Sequence, residues 1–401
     1  MHKVYQNSVL NLSASGAEDA TEGFYFDRDP AEIGPHPLCP SFDDFDWRDL
    51  NRGRSGPSWH LVHEDLYGDV IQKTAAFKRA WVFQERQLSK RVLHFGKEQV
   101  FWECRSANCC ELFPQGLPSR LMVSTSTLPK FVYKETRNPS SISSIIHKRL
   151  PMVSDRPAVV QMQMVWQALV TDYSKARLTY SSDKLIAISG MAQDVWTTWR
   201  GRLVNETRYI AGLWDSHLPE TLLWKISEKE IAPRPKPYRA PTWSWASING
   251  TVVWEDRIWT DEYTCETTIL SVDVQYAWDD WGKVISGEIV ANGPLRRLQY
   301  EDFRIGFIRL GPDKGEDTQH SVMLHDDESR WGPTEPWDEY LYGLLIVRFK
   351  DLSLRRCCMM VLNPLPDSDN AFERVGIGYP MFGAEVKEWF DGCPSQTVVI
   401  R

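Results

Sequence analysis

Two hydrophobic periods divide this chain. Between residues 158 and 199 apolar side chains return every three or four positions. Beyond residue 240 they come in short β-prone runs separated by turn residues. Val159, Met162, Trp166, Leu169, Tyr173 and Ala176 step by three and four and predict a helix with one apolar stripe. Leu185, Ile188, Ala192, Val195 and Trp199 keep one face of a second helix, with Ser181 or Ser182 as its N-cap. A third, shorter helix is expected over 219–227, turning Leu222, Leu223 and Ile226 inward. After the alternating prolines of 232–238, which forbid helix and favour an extended strap, the period changes. Runs at 251–254, 267–274, 284–291, 340–349, 356–362, 374–377 and 397–400 read as strands of an antiparallel sandwich or barrel.

The N-terminal part is less regular. Residues 1–66 read as mostly loop, dense in Pro, Asp and Gly after residue 20. A helix is expected from 64 to 88, because Phe77, Trp81, Glu85 and Leu88 fall on one face. Residues 91–95 and 99–103 then form a hairpin about Gly96-Lys97. The stretch 112–155 is rich in Ser and Pro and weakly periodic, a long loop. The divisions that follow are 1–110, a loop-rich linker 111–157, a helical unit 158–231, a proline-rich strap 232–240 and a β-rich unit 241–401.

Composition narrows the chemistry. A net charge of −8, spread without long runs of one sign, gives no basic stripe for nucleic acid or an anionic membrane. No apolar window reaches the ~20 residues of a membrane-spanning helix, and the first residues lack a signal-peptide core. A soluble, cytoplasmic protein is expected. Eight cysteines in 401 residues are too sparse for a disulfide scaffold, and their adjacent pairs, Cys109-Cys110 and Cys357-Cys358, do not match zinc or redox spacings. The eighteen tryptophans are the outlier. Most lie within apolar patterns, which favours packing over platforms for sugars or bases.

Few residues carry candidate chemistry. Glu85, on a helix face with Trp81, is the type of carboxylate that burial converts into a general acid or base. The alternative is an ion pair with Arg79 or Arg86 that fixes the helix, and it is preferred because no second carboxylate or nucleophile accompanies Glu85 at useful spacing. His60 and His63 stand three apart, but Glu64 follows them instead of lying between them, so no zinc-protease helix is expected. Gly376-Ile-Gly378 lacks the third glycine of a phosphate cradle, and no nucleophile elbow occurs. Trp243 and Trp245, at strand-like alternation, read as a clasp between the helical and β-rich parts. Asp183 with Lys184 reads as helix-start charge plus a local ion pair.

Several blocks resemble one family. Residues 4–15 (VYQNSVLNLSAS), Glu22-Gly23-Phe24 with Asp27-Arg28-Asp29-Pro30, and the block from Arg79 through Trp81, Gln84, Glu85 and Arg86 to Ser89 are similar to segments of the fungal heterokaryon incompatibility (HET) domain. The stretches around Asp183 and around Trp243 and Trp245 resemble segments that follow that domain. The family's opening motifs, an L-S-Y-x-W-G strand and an I-D-x-x-C-I-N-Q segment, do not occur before Tyr5. The resemblance therefore implies a member truncated at its N-terminus, lacking most of a flavodoxin-like core. It also implies a role in non-self recognition and regulated cell death, activated by assembly with a protein partner. Some proteins of that layout cleave NAD. Here the catalytic part is expected to be missing, so no cofactor is expected and NAD would be a substrate only if that part exists. The expected architecture is α+β: a remnant of an α/β HET core, a helical middle and an antiparallel β-rich C-terminal unit. The rivals are a hydrolase of a glycosidic bond, in NAD or a glycan, with Glu85 as acid/base, and a plain protein-interaction module.

Overall fold

The computed structural model describes residues 2–29, 36–37, 60–61, 74–104, 106–118, 156–227, 234–255, 257–304, 307–311, 321–326, 340–350, 357–366, 368, 370–381 and 390–401. The chain is mixed α+β and divides into two compact units, residues 1–155 and 156–401. The expected helical segment, strap and β-rich segment all lie within the second. The linker reading of 119–155 falls outside the described residues.

In the first unit, helix α1 (His2–Asn7) leads into strand β1 (Asn11–Ser13), and helix α2 (Ala80–Leu88) into a hairpin of β2 (Arg91–Phe95) and β3 (Val100–Cys104). Strand β4 (Asn108–Cys110) completes a four-stranded sheet in the order β1-β2-β3-β4. The hairpin turns at Gly96-Lys97 as expected, with the Gly96 amide on the Gln99 carbonyl at 3.0 Å. Strand β1 runs parallel to β2, and all the other pairings in this sheet are antiparallel.

Helix α2 differs from the sequence reading in extent and in face. Residues 74–79 are turns and bridge, and the helix begins at Ala80. Its buried residues are Ala80, Gln84, Arg86, Gln87 and Leu88, while Trp81 and Glu85 are half-buried. Period alone placed Trp81 inward. An ion pair of Arg86 to the sheet sets the rotation instead and draws the two glutamines inside.

In the second unit, α3 (Ala158–Ser174) and α4 (Ile186–Trp199) form where their stripes predicted. The third helix does not. Its residues make a short 3-10 turn, Glu220–Leu222, and then strand β7 (Trp224–Ile226), which pairs antiparallel with β8 (Val252–Trp254). The same apolar side chains are buried either way, so periodicity could not separate the two outcomes. Backbone pairing and an Arg374 guanidinium bound to the Leu222 and Trp224 carbonyls favour the strand. A tight hairpin of β5 (Tyr209–Ile210) and β6 (Leu213–Trp214) precedes it.

The β-rich part closes on itself. Strand β11 (Val284–Arg304) pairs through Ile289–Pro294 with β17 (Ser395–Ile400), and through Leu295–Gln299 with β14 (Tyr340–Phe349). β14 pairs with β15 (Cys357–Pro364), β15 with β16 (Ala371–Met381), and β16 runs parallel to β17, completing a five-strand ring. The outcome is the barrel alternative of the sequence reading, with one parallel contact. Short strand β9 (Tyr263–Cys265) flanks β14 and β10 (Thr268–Tyr276) flanks β11. β12 (Phe307–Gly311) and β13 (Ser321–Asp326) add to β11 and β16. Gly293 sits where β11 passes from β17 to β14. A Cβ there would stand 2.1 Å from the Thr267 hydroxyl, so only glycine fits the corner. Leu298, Leu341, Leu345, Met359, Val361 and Val375 fill the core.

Trp243 and Trp245 are fully buried but not in a strand. Ser244 caps a 3-10 turn, Trp245–Ser247, by accepting the Ala246 amide. The Gly212 carbonyl accepts the indole N–H of both Trp166 (2.8 Å) and Trp245 (2.7 Å). Gly212 has φ +99°, and a Cβ would lie 2.7 Å from the Trp245 indole nitrogen. Gly212→Ala should therefore destabilise the second unit by on the order of 3 kcal/mol, combining backbone strain with overpacking. Urea unfolding followed by tryptophan fluorescence measures it.

Candidate functional site

The first unit holds a cleft of about 320 Å³ whose lining includes Ser13, Asp19, Arg79, Glu85, Arg86 and His94. Local structure explains how residues so far apart reach it. The β1–β2 register sets Ser13 opposite His94, and the β2–β3 register sets Val92 opposite Glu103, so His94 and Glu103 are diagonal neighbours. The buried faces of both strands carry these polar groups. His94 and Glu103 are 1% and 0% exposed, Arg86 3% and Ser15 1%.

They are bonded to one another. The Arg86 guanidinium donates to both Glu103 oxygens, its Nε reaching Oε2 at 2.7 Å. His94 Nε2 lies 3.1 Å from Glu103 Oε2, and His94 Nδ1 lies 3.0 Å from Ser15 Oγ. Ser15 Oγ is 2.9 Å from Ser13 Oγ. Phe77 lies beneath Arg86, the guanidinium carbon 4.9 Å from its ring centre, and beside the His94 ring. A continuous chain of hydrogen bonds thus runs from the cleft wall at Ser13 to a fully desolvated ion pair.

Glu85 stands apart from that chain. Burial pushes its carboxyl above the ordinary value, against a hydrogen bond from Tyr5 and the nearby charge of Arg79. Tyr5 is in turn raised to about 12, chiefly by burial and then by Glu85. The expected partnership of Glu85 with Arg79 is present as this charge interaction, whereas Arg86 is engaged by Glu103. Two further carboxylates, Glu18 and Asp19, line the cleft.

The remaining singled-out residues serve elsewhere. Asp183 ends a short 3-10 turn and accepts the Ser182 hydroxyl at 3.3 Å. Lys184 turns inward, its ammonium 2.5 Å from the Ile248 carbonyl and 5.7 Å from the Trp245 ring centre, and burial drives its pKa well down. Arg239, at the end of the strap, donates to the Ala246 and Ile248 carbonyls and is lowered to about 10 by burial. Two buried basic side chains therefore donate to the carbonyls that follow Trp245. His60 lies in a two-residue strand paired to His36–Pro37 and not on a helix, and His63 and Glu64 fall outside the described residues. Among the described residues no group of three His, Cys, Asp or Glu side chains could hold a metal. Nor is any helix there long and apolar enough to cross a membrane.

Sequence reasoning missed Ser13, Ser15, His94 and Glu103. The signal was present in the hairpin, where His94 and Glu103 occupy positions whose strand neighbours, Val92 and Phe101, are core residues.

Comparison of the chain with protein-family models, curated proteins and solved structures finds no match.

Two outcomes follow from this geometry. Glu103→Gln leaves the Arg86 charge buried without its counter-ion and should lower the stability of the first unit by about 3–5 kcal/mol in urea unfolding. The double variant Arg86→Met, Glu103→Leu should lose less. The raised Glu85 carboxyl means that the folded protein holds its proton more tightly than the unfolded chain. Its contribution to stability is full below the unfolded carboxylate range and is lost as pH rises through the folded value. Stability of Glu85→Gln relative to the parent should therefore improve as pH rises from about 4 toward neutrality. Paired denaturation curves across that range check the sign.

Proposed function

We propose that this chain is a heterokaryon incompatibility-type protein, acting in the cytoplasm in fungal non-self recognition and regulated cell death by engaging a protein partner. The supporting observation is spatial. The block 4–15 meets the block 79–89 and the hairpin that follows it side chain on side chain: Tyr5 on Glu85, and Ser15 on His94 across 79 residues of sequence. Segments that resemble one family's pattern thus lie in one folded unit.

The same geometry supports a structural role for the motif residues. Arg86 is committed to Glu103, and Trp243 and Trp245 are fully buried. These side chains build framework, and Glu85 is the motif carboxylate left at the cleft.

A second reading has one specific observation behind it. The raised carboxyl of Glu85 is shifted in the direction a general acid requires, which favours hydrolysis of a glycosidic bond in NAD or a glycan. That chemistry would need Glu18 or Asp19 to stand ~5–9.5 Å from Glu85 as the second carboxylate.

Induced expression in a filamentous fungus tests the first reading. Growth arrest is expected with the parent chain and with Glu85→Gln, and is expected to be lost with Glu103→Gln. No arrest by the parent contradicts it. Incubation of purified protein with NAD decides between the readings. Release of nicotinamide that Glu85→Gln abolishes would establish the second, while absence of release is the result expected here.

A further inference from the structure

The hydrogen-bond chain beneath the cleft has a direction fixed by its donors and acceptors. Glu103, held by Arg86 through both oxygens, is a carboxylate and accepts only. His94 Nε2 is therefore the donor to Oε2. In the neutral ring Nδ1 is then the acceptor, and the Ser15 hydroxyl donates to it. With that proton committed, Ser15 Oγ accepts from the Ser13 hydroxyl. Each proton points inward, and Ser13 is the outermost oxygen.

A buried Ser–His–Glu set alone is as readily a packing device as a reactive one. Two facts separate this one from packing. Ser15 is sealed from solvent, but Ser13 is only half-buried. Ser13 and His94 also line the ~320 Å³ cleft, a volume within the range of small-molecule sites.

We infer that Ser13 is an acyl-transfer nucleophile, served through Ser15 by the His94 base, and that the cleft takes short-chain acyl esters. Ser13 Oγ bonds to the acyl carbon while its proton passes to Ser15 and the Ser15 proton passes to His94 Nδ1. The carbonyl electron pair moves onto oxygen, then returns and expels the alcohol, which recovers the proton from His94 by the same path. Water then attacks the acyl-serine ester through the same relay, releasing the acid and restoring Ser13. Glu103 holds the Nε2–H of the imidazolium throughout, and Arg86 fixes Glu103. Leu12, Val82 and Val92 offer the acyl chain an apolar wall, and Arg79 supplies a cation toward the developing oxyanion. This activity is separate from the chemistry weighed at Glu85 and does not depend on the recognition reading.

The test treats the full chain with an alkyl fluorophosphonate, which forms an Oγ–P bond as fluoride leaves and then does not turn over. One adduct per chain, on the Ser13 peptide by mass spectrometry, is expected, with none in Ser13→Ala. In Ser15→Ala labelling should slow by about tenfold or more. If the melting temperature of that variant falls, Ser15→Thr, which keeps a hydroxyl, should restore the rate. No adduct on Ser13 overturns the inference, as does an unchanged rate in Ser15→Ala or a failure of Ser15→Thr to restore it.

Discussion

A desolvated charge must have a partner, and in the first unit that requirement organises everything around it. Arg86 and Glu103 are both removed from water, and each is tolerable only because the other is there. The pair sets the rotation of α2, which in turn exposes Glu85 to the cleft and turns Gln84 and Gln87 inward. Glu103 also orients His94, His94 orients Ser15, and Ser15 ties the first strand of the chain to a hairpin far along the sequence. Such a network contributes more to selecting one arrangement than to net stability. Its removal in part is worse than its removal whole.

The second unit solves a similar problem with carbonyls in place of carboxylates. Large rings fill its interior. The indole N–H groups of Trp166, Trp224, Trp245 and Trp254 go to backbone oxygens at Gly212, Trp243 and Thr221, while those of Trp199, Trp214 and Trp243 are buried without a hydrogen-bond partner. Lys184, Arg239 and Arg374 sit among them with their nitrogen-bearing ends on main-chain carbonyls. Arg374 lies 3.4 Å from the centre of the Trp224 ring, a cation–π contact that is strong where water is excluded. The tryptophan-rich turns are thus held by hydrogen bonds from basic side chains, and the described tryptophans act mainly as packing. Among the described tryptophans, Trp278, 79% exposed, is the clear exception.

What the sequence revealed follows from which forces leave a periodic trace. Apolar stripes located α3 and α4, and β-prone runs located the barrel strands, because burial on one face imposes a period. The strand at Trp224–Ile226 was hidden, since Leu222, Leu223 and Ile226 are buried under either assignment and only a partner strand 26 residues away decides between them. Trp243-Ser-Trp245 imitated strand alternation, but a serine cap and the Gly212 carbonyl made it a turn. At the cleft, Glu85 was legible as a carboxylate on a helix. The serine–histidine–glutamate chain was not, because its members come from three strands and loops whose register no local pattern encodes.

Residues 11–16 are an integral part of the first sheet, fastened by the buried network and not merely lying against it. Native-state hydrogen exchange at the Gly16 amide, which donates to the Phe95 carbonyl at 2.7 Å, tests this most directly. Gly16 should exchange with the same opening free energy as the amides of β2 and β3. Exchange at a free energy near zero, as in a frayed terminus, would contradict it.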